Sequence, residues 1–339
     1  MSKNKRLGVD LVGFGPIGRD LARKLVAADR FFVASISDSS GTIYPEKRAD
    51  VLSAIHWKEA SKANKLMSID EIKQGASGQT NDGLEQSNAS ISVDLTDSDY
   101  KKKSDAKSRA LFALRAGKNF VSANKVGFAN YFHEILDYAW KKDLFVGYGA
   151  TICGARHALH IARSIDEGEI GSASAVLNTS TTFVLSTLEE NPDQSISQAC
   201  NEADKAGILE RDWSVDLDGI DAAAKTAILS NVLFPKEKKS IDSVQRRGIR
   251  NSRFDALRDK AQKSSKKIRL VSEIVPGRAS VAPRMLEKDS PLCVKGRFNA
   301  VSFETKSFGE ISVKSFGGGV SLTSSIVLSD IKEAEATRL

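Results

Sequence analysis

Three glycines near the N-terminus constrain this chain more than any other feature. Gly13, Gly15 and Gly18 spell G-x-G-x-x-G directly after the apolar run LGVDLVGF (7–14) and at the head of PIGRDLARKLVAA (16–28), whose apolar residues share one helical face. Strand, glycine turn and helix in that order make a cradle for a pyrophosphate. The first glycine permits the tight turn, the second lets backbone approach the phosphates, the third lets helix pack on strand, and the helix N-terminus attracts the anion. A bare strand–helix turn without a ligand is the alternative. Pro16 removes one N–H donor but suits the first position of a helix. Asp38 closes a second strand, FFVASIS (31–37), 20 residues after Gly18. That is where a carboxylate meets the adenosine ribose hydroxyls of NAD. Ser39 follows it, not an arginine that would cradle a 2′-phosphate, although Lys47 and Arg48 lie downstream and could bend back. Local charge leans towards NAD; the competing view is that Asp38 is a turn residue before Gly41.

The rest of the first third repeats the alternation. A polar stretch (44–90) with a loop at GASGQTNDG (75–83) precedes a strand at ISVDLT (91–96), a helix at 105–117 and a strand at NFVSAN (119–124). Strands alternating with helices imply parallel crossovers. The expected fold is therefore α/β: a Rossmann-type doubly wound parallel sheet, plus an α+β domain for the remainder. Helices are expected there at 128–142, 195–206 and 219–233. Strands are expected at 144–150, 172–180, 267–275 and 311–316, suiting helices on one face of a mixed or antiparallel sheet. The expected division is a nucleotide domain at 1–125, rejoined by the C-terminal segment 316–339 through a helix at about 321–332, and a second domain at 126–315.

Composition excludes several classes. At 339 residues the chain has length for two domains, and its 41% hydrophobic content supplies an ordinary core. No run approaches the ~20 apolar residues of a membrane helix, and the basic N-terminus flows into the glycine loop with no cleavage site of a signal peptide. Cys153, Cys200 and Cys293 are far apart, so neither a zinc motif nor a disulfide framework is indicated, and a cytoplasmic location is expected. The net charge of +7 could steer an anionic dinucleotide. Lys101–Lys103 read as a solvated helix end; no aromatic residues interleave with them as a nucleic-acid platform requires.

The segment AGILERDWSVDLDGIDAAAKTAILSNVLF (206–234) concentrates charge beside an apolar helix. Asp221 and Lys225 are four apart and share a face, while Glu210 and Asp216 approach from the preceding loop. Three carboxylates around one lysine hold its ammonium in place; an exposed ion pair in a first helical turn is the bland alternative. Here the chain resembles the homoserine dehydrogenase family. Gly207, Glu210, Asp216, Gly219, Asp221 and Lys225 match its G-[YI]-x-E, D, G-x-D-x-x-x-K spacing. VGFGPIG (12–18), AGKNFVSANKVGFAN (116–130), LNTSTTFVL (177–185) and FGGGVSLTSSIVLSDI (316–331) are similar to four further family segments. The likeness runs from about 7 to 331, with no aspartokinase half or regulatory domain in it.

That resemblance implies NAD(P)-dependent interconversion of aspartate semialdehyde and homoserine, on the route to threonine and methionine. It implies Lys225 as the acid–base group, Lys125 as a second lysine that polarises the same oxygen or relays the proton, and Asp216 as the residue orienting Lys225. Glu210 and Asp221 would hold the substrate's amino end and hydroxyl, and Ser180 and Thr181 its carboxylate. Ile17, Ser39, Thr96, Lys125, Gly207 and Gly317 would join Gly13, Gly15, Gly18 and Asp38 in contacting cofactor. A sodium ion at the backbone of Gly149, Ile152 and Gly154, and a homodimer, are implied as well. The chain also departs from the family. Its E-A-T-V-x-[AG]-G-x-P turn reads Gly149 to His157, with Gly149 for the glutamate, Ala155 for a glycine and His157 for the proline. The family's N-G-T-T-N reads Asn178 to Thr182, Asp97 stands where small neutral residues are usual, and Phe316 replaces a proline. These departures leave two other readings open: a reductase of another small aldehyde or keto compound, and a cofactor-binding regulator without catalysis. Retention of both lysines argues against the last. His157 reads as a helix-start residue, and its spacing to His160 supports no metal.

Overall fold

The computed structural model describes residues 6–61, 63–70, 72–77, 86–209 and 212–337. The chain divides into two compact units, residues 1–151 with 320–339, and residues 152–319. The divide falls later than the expected one after residue 125. The helix Lys125–Lys141 packs on Lys103–Arg115, and the short strand Val146–Gly147 extends the first unit's sheet, so both belong there.

The first unit contains β1 (Leu7–Val12), α1 (Pro16–Ala27), β2 (Phe31–Asp38), β3 (Gly41–Tyr44), α2 (Arg48–Ala60), β4 (Lys73–Ser77), β5 (Ile91–Asp94), α3 (Lys103–Arg115), β6 (Asn119–Ser122), α4 (Lys125–Lys141) and β7 (Val146–Gly147). Its seven strands run in the order β4-β3-β2-β1-β5-β6-β7. The five from β2 to β7 are parallel, and β3 and β4 add an antiparallel edge. β1 is buried almost throughout, as a central parallel strand must be. The C-terminal helix Val320–Ala336 packs on α1, where the Lys24 ammonium meets Asp20 at 2.9 Å and the Ser324 hydroxyl at 2.6 Å. Two elements of the polar stretch were not expected: α2, whose polar sequence has little apolar periodicity, and β4. Of the expected loop at 75–83, residues 75–77 end β4 and 78–83 lie outside the described residues.

The second unit contains α5 (Arg156–Ser164), β8 (Ile170–Val176), α6 (Thr179–Glu190), α7 (Ile196–Lys205), α8 (Trp213–Leu217), α9 (Ile220–Leu233), β9 (Gln245–Arg246), α10 (Phe254–Lys263), β10 (Lys267–Val275), β11 (Arg278–Leu286), β12 (Phe298–Thr305) and β13 (Gly309–Phe316). Its sheet runs β13-β12-β8-β10-β11-β9 and is antiparallel apart from the β9–β11 pair. α9 is buried on nearly every side and packs on β10 and β11. The expected strand at 172–180 stops at Val176. Asn178 turns the chain by accepting the Thr181 N–H at 2.7 Å, and α6 begins. Residues 144–150 likewise yield only the two-residue β7 before a helical turn at Gly149–Ile152.

Candidate active site

In the second unit, three element ends meet around one buried asparagine. The Asn178 side-chain amide donates to Asp216 Oδ1 at 2.8 Å and to Asp221 Oδ2 at 2.9 Å, and its oxygen caps α6. Asp221 Oδ2 in turn lies 2.8 Å from the Lys225 ammonium, one helical turn along α9. Lys225 donates a second hydrogen bond, to the Leu177 carbonyl at 2.9 Å. All four polar side chains are buried. Burying this many charges is costly unless each finds a partner, and Asn178 supplies two of the partnerships. The Lys225 ammonium has three N–H donors; two are committed to Asp221 and Leu177, which fixes the direction of the third.

Local sequence explains the placement. Gly219 takes a left-handed conformation (φ 74°) at the start of α9, letting the chain reverse between α8 and α9 and bring Asp216 back towards Asp221. The Thr181 hydroxyl donates to the Asp216 carbonyl at 3.0 Å and the Ser180 hydroxyl to the Ile208 carbonyl at 2.8 Å. Both side chains expected to meet a substrate carboxylate therefore tie α6 to the 208–216 segment. Glu210 lies outside the described residues. Gly207, expected beside a cofactor, is the left-handed residue (φ 64°) that ends α7. Gly317 is hemmed in: an added Cβ would lie 2.5 Å from the Thr179 hydroxyl and 2.7 Å from the Asn299 amide. The same holds at Gly154, where a Cβ would lie 2.6 Å from the Gly317 Cα. Burial pushes the Cys200 thiol up to about 11, so it offers no thiolate at neutral pH. Asn178 was the residue that sequence reasoning missed. Its signal, an asparagine ahead of a helix, was masked by the β-branched run around it.

In the first unit, the glycine loop shows two kinds of necessity. A Cβ on Gly13, which has φ 99°, would lie 2.7 Å from the Leu95 backbone, and one on Gly18 would lie 2.3 Å from the Gly13 carbonyl oxygen. Both glycines are required by packing within the chain. Gly15 is different. Its φ of −72° suits any residue, and a Cβ there would have nothing within 4 Å. Neither conformation nor packing demands glycine at this exposed point at the head of α1, which fits a backbone approached closely by a bound pyrophosphate. Ile17 is half-buried at the second position of α1.

Asp38 ends β2 and is tightly held. Its Oδ1 accepts the Ser40 N–H at 2.8 Å and the Ser40 hydroxyl, and its Oδ2 lies 2.9 Å from the Lys58 ammonium. Burial pushes this carboxyl up, but the Ser40 and Lys58 contacts together outweigh it and hold it below the usual carboxylate range. The cation beside Asp38 is thus Lys58, from the unexpected α2. Arg48 pairs with Asp29, and the exposed Lys47 occupies the N-cap position of α2 with its ammonium 3.9 Å from Asp50. Ser39 is exposed beside Asp38. At the carboxyl ends of β5 and β6, the Asn124 amide donates to the Thr96 hydroxyl and the Asp97 carbonyl, both at 3.0 Å, while its oxygen accepts the Val126 N–H. This knot fixes Lys125 at the first turn of α4, at the strand end where ligands of parallel sheets bind.

The chain is similar to known proteins in sequence and in fold. The homoserine dehydrogenase family model matches residues 159–331. The homoserine dehydrogenase of Pyrococcus horikoshii is 33% identical over 337 residues, covering 97% of each chain. A protein of Pseudomonas canavaninivorans described as an NAD(+)-dependent homoserine dehydrogenase is 25% identical over 334 residues, 95% of this chain and 94% of its own. The solved structure of a hyperthermophilic archaeal homoserine dehydrogenase in complex with NADPH is similar with a TM-score of 0.82 and 32% identity over 98% of both chains.

Proposed function

The chain belongs to the homoserine dehydrogenase family, and from that membership we infer that it interconverts L-aspartate 4-semialdehyde and L-homoserine with a nicotinamide cofactor, in threonine and methionine biosynthesis. The observation that carries the reading of its chemistry is the clamped Lys225, with two donors fixed and one left to meet a substrate oxygen. Bound nicotinamide supplies the hydride acceptor for oxidation of homoserine and the donor for the reverse. The residues of the chain handle the proton and the charge. In oxidation the neutral Lys225 amine takes the hydroxyl proton; in reduction its ammonium returns one to the forming alkoxide and stabilises that charge. Asp221 aims Lys225, and Asp216 acts through Asn178 on Asp221. Lys125 supplies the second ammonium. Glu210 grips the substrate amino group, and the positive end of α6 at Ser180 receives its carboxylate, with Thr181 positioning the 208–216 segment.

Gly13, Gly15, Ile17 and Gly18 hold the cofactor pyrophosphate, and Asp38 with Ser39 faces the adenosine ribose. The carboxylate favours NAD, because it would oppose a 2′-phosphate, while Lys58 tempers that preference. Thr96 and Gly317 complete the cofactor contacts. The backbone of Gly149, Ile152 and Gly154 would hold a sodium ion. The protein is a cytoplasmic homodimer; exposed Phe298 and Phe316, edge-to-face on the outer hairpin β12–β13, support self-association through the second unit. Steady-state oxidation of L-homoserine with NAD and NADP separately tests the function. The Lys125→Ala/Lys225→Ala double variant tests the mechanism: near wild-type oxidation by it would remove both lysines from the chemistry.

A further inference from the structure

Residues 245–269, QRRGIRNSRFDALRDKAQKSSKKIR, hold ten basic residues against two acidic ones. The helix α10 at the centre of this run sorts its charges onto separate faces. Asp255, Arg258 and Asp259 line one hollow, where both signs are present. Arg253, Ala256, Leu257 and Lys260, spaced i, i+3, i+4 and i+7 and hence along one face, line another of about 270 Å³. Arg247 and Asn251 complete its wall, Phe254 and Pro283 form a buried floor, and no acidic residue among the described ones lines it.

Among the described residues, three cations therefore converge on one hollow without a counter-ion. Among the described residues, Arg247, Arg253 and Lys260 form no ion pair, and none of their side chains donates a hydrogen bond. Their neighbours are committed elsewhere: Arg250 grips Asp218 at 2.6 Å and Arg258 donates to the Pro192 carbonyl at 2.9 Å. Arg253 is moreover the N-cap of α10. A cation there opposes the helix dipole, whereas an anion held between that cation and the first-turn N–H groups is favoured by both. Like charges around a concavity focus the field and attract a multivalent anion.

We propose that this hollow binds a small phosphate-bearing anion. Its volume lies just below the range of ordinary ligand pockets, which gives room for a phosphoryl group on a small organic body and too little for a dinucleotide. The wall residue Arg247 starts a segment that runs hard against the α8 end. Ile249 donates to the Leu217 carbonyl at 2.7 Å, and a Cβ on Gly248 would lie 2.1 Å from that oxygen. An occupant holding Arg247 is thereby linked to the helix that carries Asp216. The site itself rests on no reading of the reaction.

Isothermal titration of the full chain, with NAD present in excess to occupy the glycine loop, tests this with inorganic phosphate in one arm and glycerol 3-phosphate in the other. Wild type is expected to bind at least one of them with a Kd of about 1 mM or lower; the arm that binds tighter tells free phosphate from phosphoester. Arg253→Ser/Lys260→Ser should weaken binding by about tenfold or more while melting no lower than wild type, since both side chains are exposed and serine is a favoured N-cap residue. Ala256→Leu, which fills the hollow and leaves the charges alone, should weaken it too. Binding of neither anion, or equal binding by wild type and both variants, overturns the proposal.

Discussion

Lys225 is held by a carboxylate oxygen at 2.8 Å and a carbonyl at 2.9 Å, so its removal should cost chemistry more than shape. Lys225→Ala is expected to lower turnover of homoserine by roughly 10²–10⁴-fold, the range for one general acid–base group. Cofactor affinity should stay near the wild-type value, because the glycine loop belongs to the other unit; titration of cofactor fluorescence checks this. Asn178→Ala should lower turnover too, with the homoserine KM a weaker reporter, since its amide positions Asp216 and Asp221 without replacing Lys225. In the proposed function Asp38 bears on a different property, the choice between NAD and NADP. Asp38→Ser removes the negative charge beside the ribose and leaves Lys58 uncompensated, so kcat/KM with NADP should rise relative to NAD. A wild type already favouring NADP by orders of magnitude would mean that Lys58, not Asp38, sets the preference.

At the scale of elements, the strand–loop–helix from β1 to α1 separates folding from binding within six residues. Gly18→Ala places a Cβ 2.3 Å from the Gly13 oxygen and must push α1 off the sheet; a lowered melting temperature is expected. Gly15→Ala meets nothing within 4 Å, so it should melt as wild type does and bind cofactor at least about tenfold more weakly. Beneath the same sheet, Asp10 on β1 and Lys118 before β6 form a buried ion pair at 2.7 Å, with Ser35 of β2 donating to the carboxylate at 2.6 Å. Breaking such a pair withdraws the Asp10 counter-charge from the buried Lys118 ammonium, which keeps the Ser87 carbonyl at 3.1 Å. Asp10→Asn should destabilise the protein by about 3–5 kcal/mol. Asp10→Asn/Lys118→Met should recover part of that loss in denaturant titration, because the buried ammonium is gone.

For the whole molecule, the prediction is assembly. The outer hairpin exposes Phe298 and Phe316, each beneath a cation, Lys314 and Arg297 respectively. Sedimentation at micromolar concentration should show a dimer, and Phe298→Ser/Phe316→Ser should shift it towards monomer. A wild type that sediments only as monomer would remove self-association from the proposed function.

Much of this was legible in the sequence because it depends on neighbours along the chain. The glycine spacing after an apolar strand, the alternation of strand and helix, and the i,i+4 pairing of Asp221 with Lys225 are local patterns, and the structure realises each. The polar helix α2 was not legible, since its residues carry little apolar periodicity and its helical state depends on packing Val51, Ala54 and Ile55 into a core that only the fold assembles. With α2 came Lys58, 20 residues from Asp38 in sequence and 2.9 Å away in space. Asn178 is the same case: its bonds to Asp216 and Asp221 span 38 and 43 residues. The chain alone determined which chemical groups are present and which turns can form. The tertiary structure decided which of those groups meet, because burying a charge selects whatever distant partner the packed backbone can deliver.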